Sequence, residues 1–293
     1  MSGALKEVRN RIKSVQSTQQ ITKAMKMVSA AKLRRAQDAI TQLRPYSQKL
    51  QEMLSNIVSN AEAGSDGALT EERSPEKVLI VLITSDRGLC GGFNANLIKL
   101  AKLTIEEKYA TQRKKGNVTI WNIGKKGYES MKKQGYNAHD EYKDIFLDLK
   151  FEHVQTAAQA AMEAFKTREF DVVEIVYSEF KNAATQQFHL ERFLPIEKVE
   201  PKAGAAKADF IFEPNKEQLM AELMPKILNT QLYKAVLDSN ASEHGARMTA
   251  MDKASENANE LLKSLKISYN RARQAAITTE LTEIVSGAAA LQG

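Results

Sequence analysis

The chain has 293 residues, 43% apolar and only 6% aromatic, with a net charge of +6. That is enough for one large or two ordinary domains, in a composition more usual for helical, Ala-rich chains than for compact enzymes. A single cysteine, Cys90, excludes an internal disulfide and a thiol ligand cluster, and no apolar run approaches the roughly 18 residues of a membrane span.

The first 44 residues carry ten basic side chains and two acidic ones, a local charge of +8, so the rest of the chain nets about −2. Such a basic stretch fits a solvated face, an anionic protein partner, a nucleic acid or an acidic membrane, and charge alone does not choose among them. No apolar signal core follows the N-terminal charges, so no secretory leader is expected. Within residues 1–60 the spacing of Leu5, Val8, Ile12 and Val15 predicts a narrow coiled-coil seam. The pattern then predicts a phase shift through Ile21, Met25 and Val28, and an interruption or bend near Arg44, before Pro45.

Residues 61–76, rich in Gly, Ser and acid, read as a linker. VLIVLITS, residues 78–85, is almost wholly apolar and rich in β-branched side chains, as expected of a strand covered on both faces. Helices are expected at 94–109, 125–134 and 154–167, strands at 118–123 and 171–180, and an edge strand at 187–194. The alternation describes a small, mostly parallel α/β domain of Rossmann-like type over 77–205. From 206 to 293 a second long helical run follows, interrupted only by Pro225 and Gly245 before Gly287. Its seam is expected at Met248, Met251, Ala254, Ala258, Leu261, Leu265, Ala272, Ala276, Leu281, Ile284 and Val285. The two terminal runs, 1–60 and 206–293, are expected to pair as one long antiparallel coiled coil. Its C-terminal end, uncharged after Glu283, fits either a frayed tail or a tip held in an apolar sleeve.

Catalytic chemistry finds little support. SDRGLCGGFN, residues 85–94, stands where phosphate-binding loops stand, yet lacks both the G-K-[ST] of a Walker loop and a G-x-G-x-x-G fingerprint. A tight strand-to-helix turn explains its glycines. His139, His153, His189 and His244 are scattered, without the spacing of a metal site or of a base for Cys90. No catalytic residue, cofactor or metal is expected.

Four segments, SVQSTQQITKAMKMVSAAKLRRAQ, SDRGLCGGFN, ASEHGARMTAMDKASENA and NRARQAAITTELTEIVSGAAAL, together resemble the gamma subunit of the rotary, proton-driven ATP synthase, in the family's order and over essentially the whole chain. The resemblance implies a non-catalytic central stalk that couples proton flow through a membrane ring to ATP synthesis or hydrolysis on beta. The implied partners are three alpha and three beta subunits, epsilon and the membrane ring (c-ring), with no nucleic acid and no small-molecule substrate. It implies beta-subunit contacts at Lys23, Met25, Lys26 and Val28 and at Arg273, Gln274, Thr278 and Glu280. It also implies a bearing tip at Ile284, Val285 and Leu291, and ring contacts at Phe210, Phe212 and Glu213. One cysteine rules out the dithiol control of chloroplast members. The expected location is the cytoplasmic face of a bacterial inner membrane. The alternative readings are an α/β nucleotide-binding enzyme with a coiled-coil dimerisation stalk, and a coiled-coil scaffold or nucleic-acid binder.

Overall fold

A computed structural model of the chain describes residues 3–59, 68–183, 185–196 and 216–292. Two long helices, α1 (Gly3–Ser59) and α6 (Lys216–Gln292), enclose in sequence the strands and helices β1 (Val78–Ile83), α2 (Phe93–Lys108), α3 (Ala110–Lys114), β2 (Val118–Ile123), α4 (Lys125–Lys133), β3 (Asn137–His139), α5 (Phe151–Lys166), β4 (Val172–Phe180) and β5 (Gln186–Leu194). Packing divides them into two compact units, residues 1–29 with 248–293, and residues 30–247.

In the larger unit the sheet order is β3-β2-β1-β4-β5. The first four strands are parallel, and β5 returns antiparallel along β4 as an edge. All six residues of β1 are buried, because both faces of that strand are covered. Leu79, Val81 and Ile83 share one core with α5 and with Met224, Leu228, Leu232 and Val236 of α6. Val78, Ile80 and Leu82 share the other with α2 and Met131 of α4.

Two expectations fail here. Pro45 and Pro225 interrupt neither helix; α1 and α6 run through them. A proline removes one i→i−4 bond, and the turns on either side keep the helical path. Gly245 is likewise helical, and its reason is close approach: a Cβ there would stand 3.2 Å from the backbone of Ala183. The strand β3, only three residues long, has too short a pattern to be read from sequence.

The smaller unit is an antiparallel helix pair. Arg9 donates to the Tyr269 hydroxyl at 2.8 Å, and Lys26 donates to Asp252 at 2.6 Å. Between these contacts α1 advances 17 residues while α6 retreats 17, the signature of one unbroken antiparallel register.

Candidate functional site

Side chains that face inward along α1 keep a strict three-four spacing: Leu5, Val8, Ile12, Val15, Gln19, Thr22, Lys26 and Ser29 are buried or half-buried. Leu33, Ala36 and Ile40 continue the spacing in the larger unit. No phase shift occurs. The seam stays in register and changes chemistry instead, from apolar to polar between Gln19 and Ser29. Of the residues expected to carry the shift, Ile21 and Val28 are turned outward, 58% and 57% exposed beside Met27 at 72%, and Met25 is half-buried.

On α6 the inward set is Met248, Met251, Ser255, Ala258, Leu262, Leu265, Tyr269, Ala272 and Ala276, again at three-four spacing. Two expected members are corrected. Leu262 is buried in place of Leu261, which is 41% exposed, and Ser255 is buried in place of Ala254. Ser255 is chosen over alanine because its hydroxyl meets that of Thr22 at 2.7 Å inside the seam. Each hydroxyl also lies within reach of a carbonyl of its own helix, Thr22 of Gln19 and Ser255 of Met251; with one proton each, one donates across the seam while the other donates to its carbonyl, so neither is left unsatisfied.

The helix α1 begins at Gly3, and beyond Ala276 the residues of α6 through Leu291 are all exposed. Leu281, Ile284 and Val285, expected on the seam, instead stand 58%, 67% and 66% exposed. The unpaired stretch of about 15 residues is about 22 Å long at 1.5 Å per residue. An apolar helical face of this length left to water is a liability.

Of the residues implied to contact beta, Lys23, Val28, Arg273, Gln274, Thr278 and Glu280 are exposed, Met25 is half-buried, and Lys26 is turned to Asp252. The tip residues Ile284, Val285 and Leu291 are exposed, Leu291 to 90%. Phe210, Phe212 and Glu213 lie outside the described residues. Sequence reasoning missed Ile21 and Met27 as outward residues, although the continued heptad from Leu5 places both off the seam.

The glycine loop is closed by its own neighbours. Asp86 accepts from the Lys125 amide at 3.2 Å, Ser85 from the Lys126 amide at 3.1 Å, and the Thr84 hydroxyl from the Gly127 amide at 2.8 Å. The first three amides of α4 are thus occupied by Thr84, Ser85 and Asp86, the residues that follow β1. Gly124, at φ 102°, permits this approach, since a Cβ there would fall 2.1 Å from the Thr84 carbonyl oxygen. Burial pushes the Asp86 carboxyl up, and the bond from Lys125 partly opposes it.

From α6, Arg247 donates to the Arg87 carbonyl at 3.0 Å and also to that of Gly88, and pairs with Glu243 at 2.6 Å. The Ser85 hydroxyl donates to the Arg87 carbonyl at 2.7 Å, and the amide of Asn94 donates to Ser85 and to Cys90. The loop is a structural junction in which β1, α2, α4 and α6 meet. Cys90 is buried with a donor on its sulfur and no histidine among its partners. Among the described residues there is no group of three or more His, Cys, Asp or Glu placed to hold a metal, and no helix long and apolar enough to cross a membrane.

The family model described as ATP synthase matches residues 4–291. The chain is 55% identical to the ATP synthase gamma chain of Cytophaga hutchinsonii, over 98% of this chain and 99% of the relative. It is 52% identical to that of Flavobacterium johnsoniae, over 99% of each.

The chain belongs to the ATP synthase gamma-chain family.

The likeness extends to fold. A chain of the Euglena gracilis mitochondrial ATP synthase (OSCP/F1/c-ring, rotational state 3) superposes with a TM-score of 0.70 at 24% identity, covering 99% of this chain and 95% of that one. A rotor chain of the same organism's enzyme gives 0.65 at 21% identity, over 94% and 100%. As a gamma-family chain it has the long terminal helices and the mostly parallel sheet between them. Its glycine loop serves packing, and its outward residues gather on the helix pair and the unpaired end of α6.

Proposed function

We propose that the chain is the rotating, non-catalytic central-stalk subunit of a proton-driven ATP synthase, coupling proton flow through a membrane ring to ATP synthesis or hydrolysis on beta subunits. Its partners in this reading are three alpha and three beta subunits, epsilon and the c-ring, at the cytoplasmic face of a bacterial inner membrane.

The observation that carries the reading is the helix pair together with the unpaired end of α6. An isolated globular enzyme has no use for apolar residues at Ile277, Leu281, Ile284, Val285 and Leu291 that are 49–90% exposed. A sleeve of other chains around that end removes the cost. Ile21, Met27 and Val28, with Lys23 beside them, form an outward face suited to a partner with apolar and acidic groups. Arg273, Gln274, Thr278 and Glu280 form a second face near the tip, and Ile284, Val285 and Leu291 are the bearing surface. Phe210, Phe212 and Glu213 are proposed to meet the ring.

Rotation presents each beta in turn with a different side of the pair. Coupling then follows from differential contact: a beta conformation that fits the side presented is favoured, and its nucleotide affinity changes with it. The test is co-expression with alpha and beta subunits. ATP hydrolysis by the co-purified complex, with none by the chain alone, supports the reading. Hydrolysis by the chain alone, or failure to associate, returns the α/β unit to consideration as an enzyme.

A further inference from the structure

The sheet of the larger unit is unevenly covered. On the face packed by α5 and α6, the aligned pairs Thr119–Asn137 and Trp121–His139 of β2 and β3 form the floor of an open cleft of about 710 Å³. One wall is α5, and the other side is β3, the edge strand of the sheet among the described residues. Trp121, the chain's single tryptophan, is only half-buried, with Tyr142 at 5.1 Å and Phe170 edge-on at 6.2 Å between ring centres.

Two strands about 4.8 Å apart make a strip about 10 Å wide, the width of one helix. The α5 wall presents Ala160 and Ala164, one helical turn apart, so a neighbouring helix can approach closely. Among the described residues the rim carries Glu141, Glu163 and Glu169, all exposed, against one cation, Lys77. This acidic rim is unlike the chain's basic balance of +6.

We propose that this cleft is a docking site for a cationic amphipathic helix of a partner protein, laid between α5 and β3 with an apolar side chain on Trp121 and Lys or Arg side chains on the three glutamates. The indole floor suits both parts of such a ligand, since an aromatic face attracts cations as well as apolar groups. The proposal is independent of the helix-pair contacts described above.

The experiment uses the full chain labelled with 5-fluorotryptophan, which places a single fluorine resonance at the cleft. The probe is a synthetic amphipathic peptide of leucine and lysine at helical spacing, with a leucine–glutamate peptide as its counterpart. The lysine peptide should shift the Trp121 resonance saturably and lose affinity as salt rises. E163K/E169K should weaken it about tenfold, and Ala160→Phe, which fills the cleft, should abolish the shift while circular dichroism stays unchanged. Absence of a shift, an equal shift with the glutamate peptide, or survival of full affinity in either variant overturns the proposal.

Discussion

Thr22 and Ser255 meet hydroxyl to hydroxyl at 2.7 Å, both buried, in the polar stretch of the helix seam. Because one hydroxyl donates across the seam while the other donates to a carbonyl of its own helix, the contact adds specificity at little cost in satisfaction. Thr22→Val or Ser255→Ala alone should cost about 0.5–1.5 kcal/mol. The double variant should cost no more than the worse single, since neither hydroxyl is then left facing an apolar group. A urea-denaturation cycle over the four proteins measures the coupling; strict additivity would contradict it.

Arg247 holds the glycine loop to α6 and neutralises Glu243, which is 8% exposed. Arg247→Met should destabilise the chain by about 3–5 kcal/mol, because a buried carboxylate loses its partner. Burial already pushes the Glu243 carboxyl up, and the bond from Arg247 opposes that rise. The variant's deficit should therefore grow with pH, and adding Glu243→Gln should recover part of it. Thermal melts at pH 5 and pH 8 check both statements.

Asp238 sits at 2% exposure, and burial raises its carboxyl to about 6 against the opposing pull of Lys234. Between the ordinary carboxylate range and pH 6 the folded chain binds more protons than the unfolded one. Stability from this group therefore falls as pH rises through that window, and the penalty is complete above it. Asp238→Asn should stabilise the chain by about 1–3 kcal/mol at pH 8 and by almost nothing at pH 4. The same stabilisation at both values would contradict the assignment.

His244 has the opposite sign. Burial first, then Lys32 and Arg247, lower it to about 4, so it is neutral in the fold. Stability from His244 is present above its unfolded value near 6.5 and is lost as pH falls toward 4. His244→Gln should flatten that part of the stability profile, measured by urea midpoints from pH 4 to pH 7.

Met27 and Val28 touch water, at 72% and 57% exposure, and should contribute little to folding. Met27→Asp and Val28→Asp should shift stability by no more than about 0.5 kcal/mol. Both should weaken proton pumping per ATP in the assembled enzyme, where a carboxylate meets an acidic partner. Lys26→Ala should change stability by less than about 1 kcal/mol, because its pair with Asp252 is 41% and 46% exposed.

The elements most legible in sequence were those with a strong single period. The run at 78–85 reads as a doubly covered strand because it is almost wholly apolar and rich in β-branched side chains, and β1 is buried throughout. The seam from Leu5 to Val15 reads equally well. Its continuation did not, because Gln19, Thr22, Lys26 and Ser29 occupy seam positions while Ile21 and Val28 stand outside. An apolar residue that faces a partner chain looks, in one sequence, like one that faces its own core. The same ambiguity misplaced Leu261 and hid the role of α6 residues 224–246, which fill the sheet's core rather than a seam. The Arg247 clamp was illegible because its acceptors are backbone carbonyls about 160 residues away, which leave no side-chain pattern.

A shaft that couples proton flow to ATP must turn inside its sleeve. A bead attached through Lys114→Cys, on the exposed α3, would be watched on surface-held alpha–beta complexes assembled with this chain. Sustained rotation in one direction while ATP is hydrolysed, stopping when ATP is withdrawn, is the predicted result. Hydrolysis at full rate with a motionless or randomly turning bead would contradict the account.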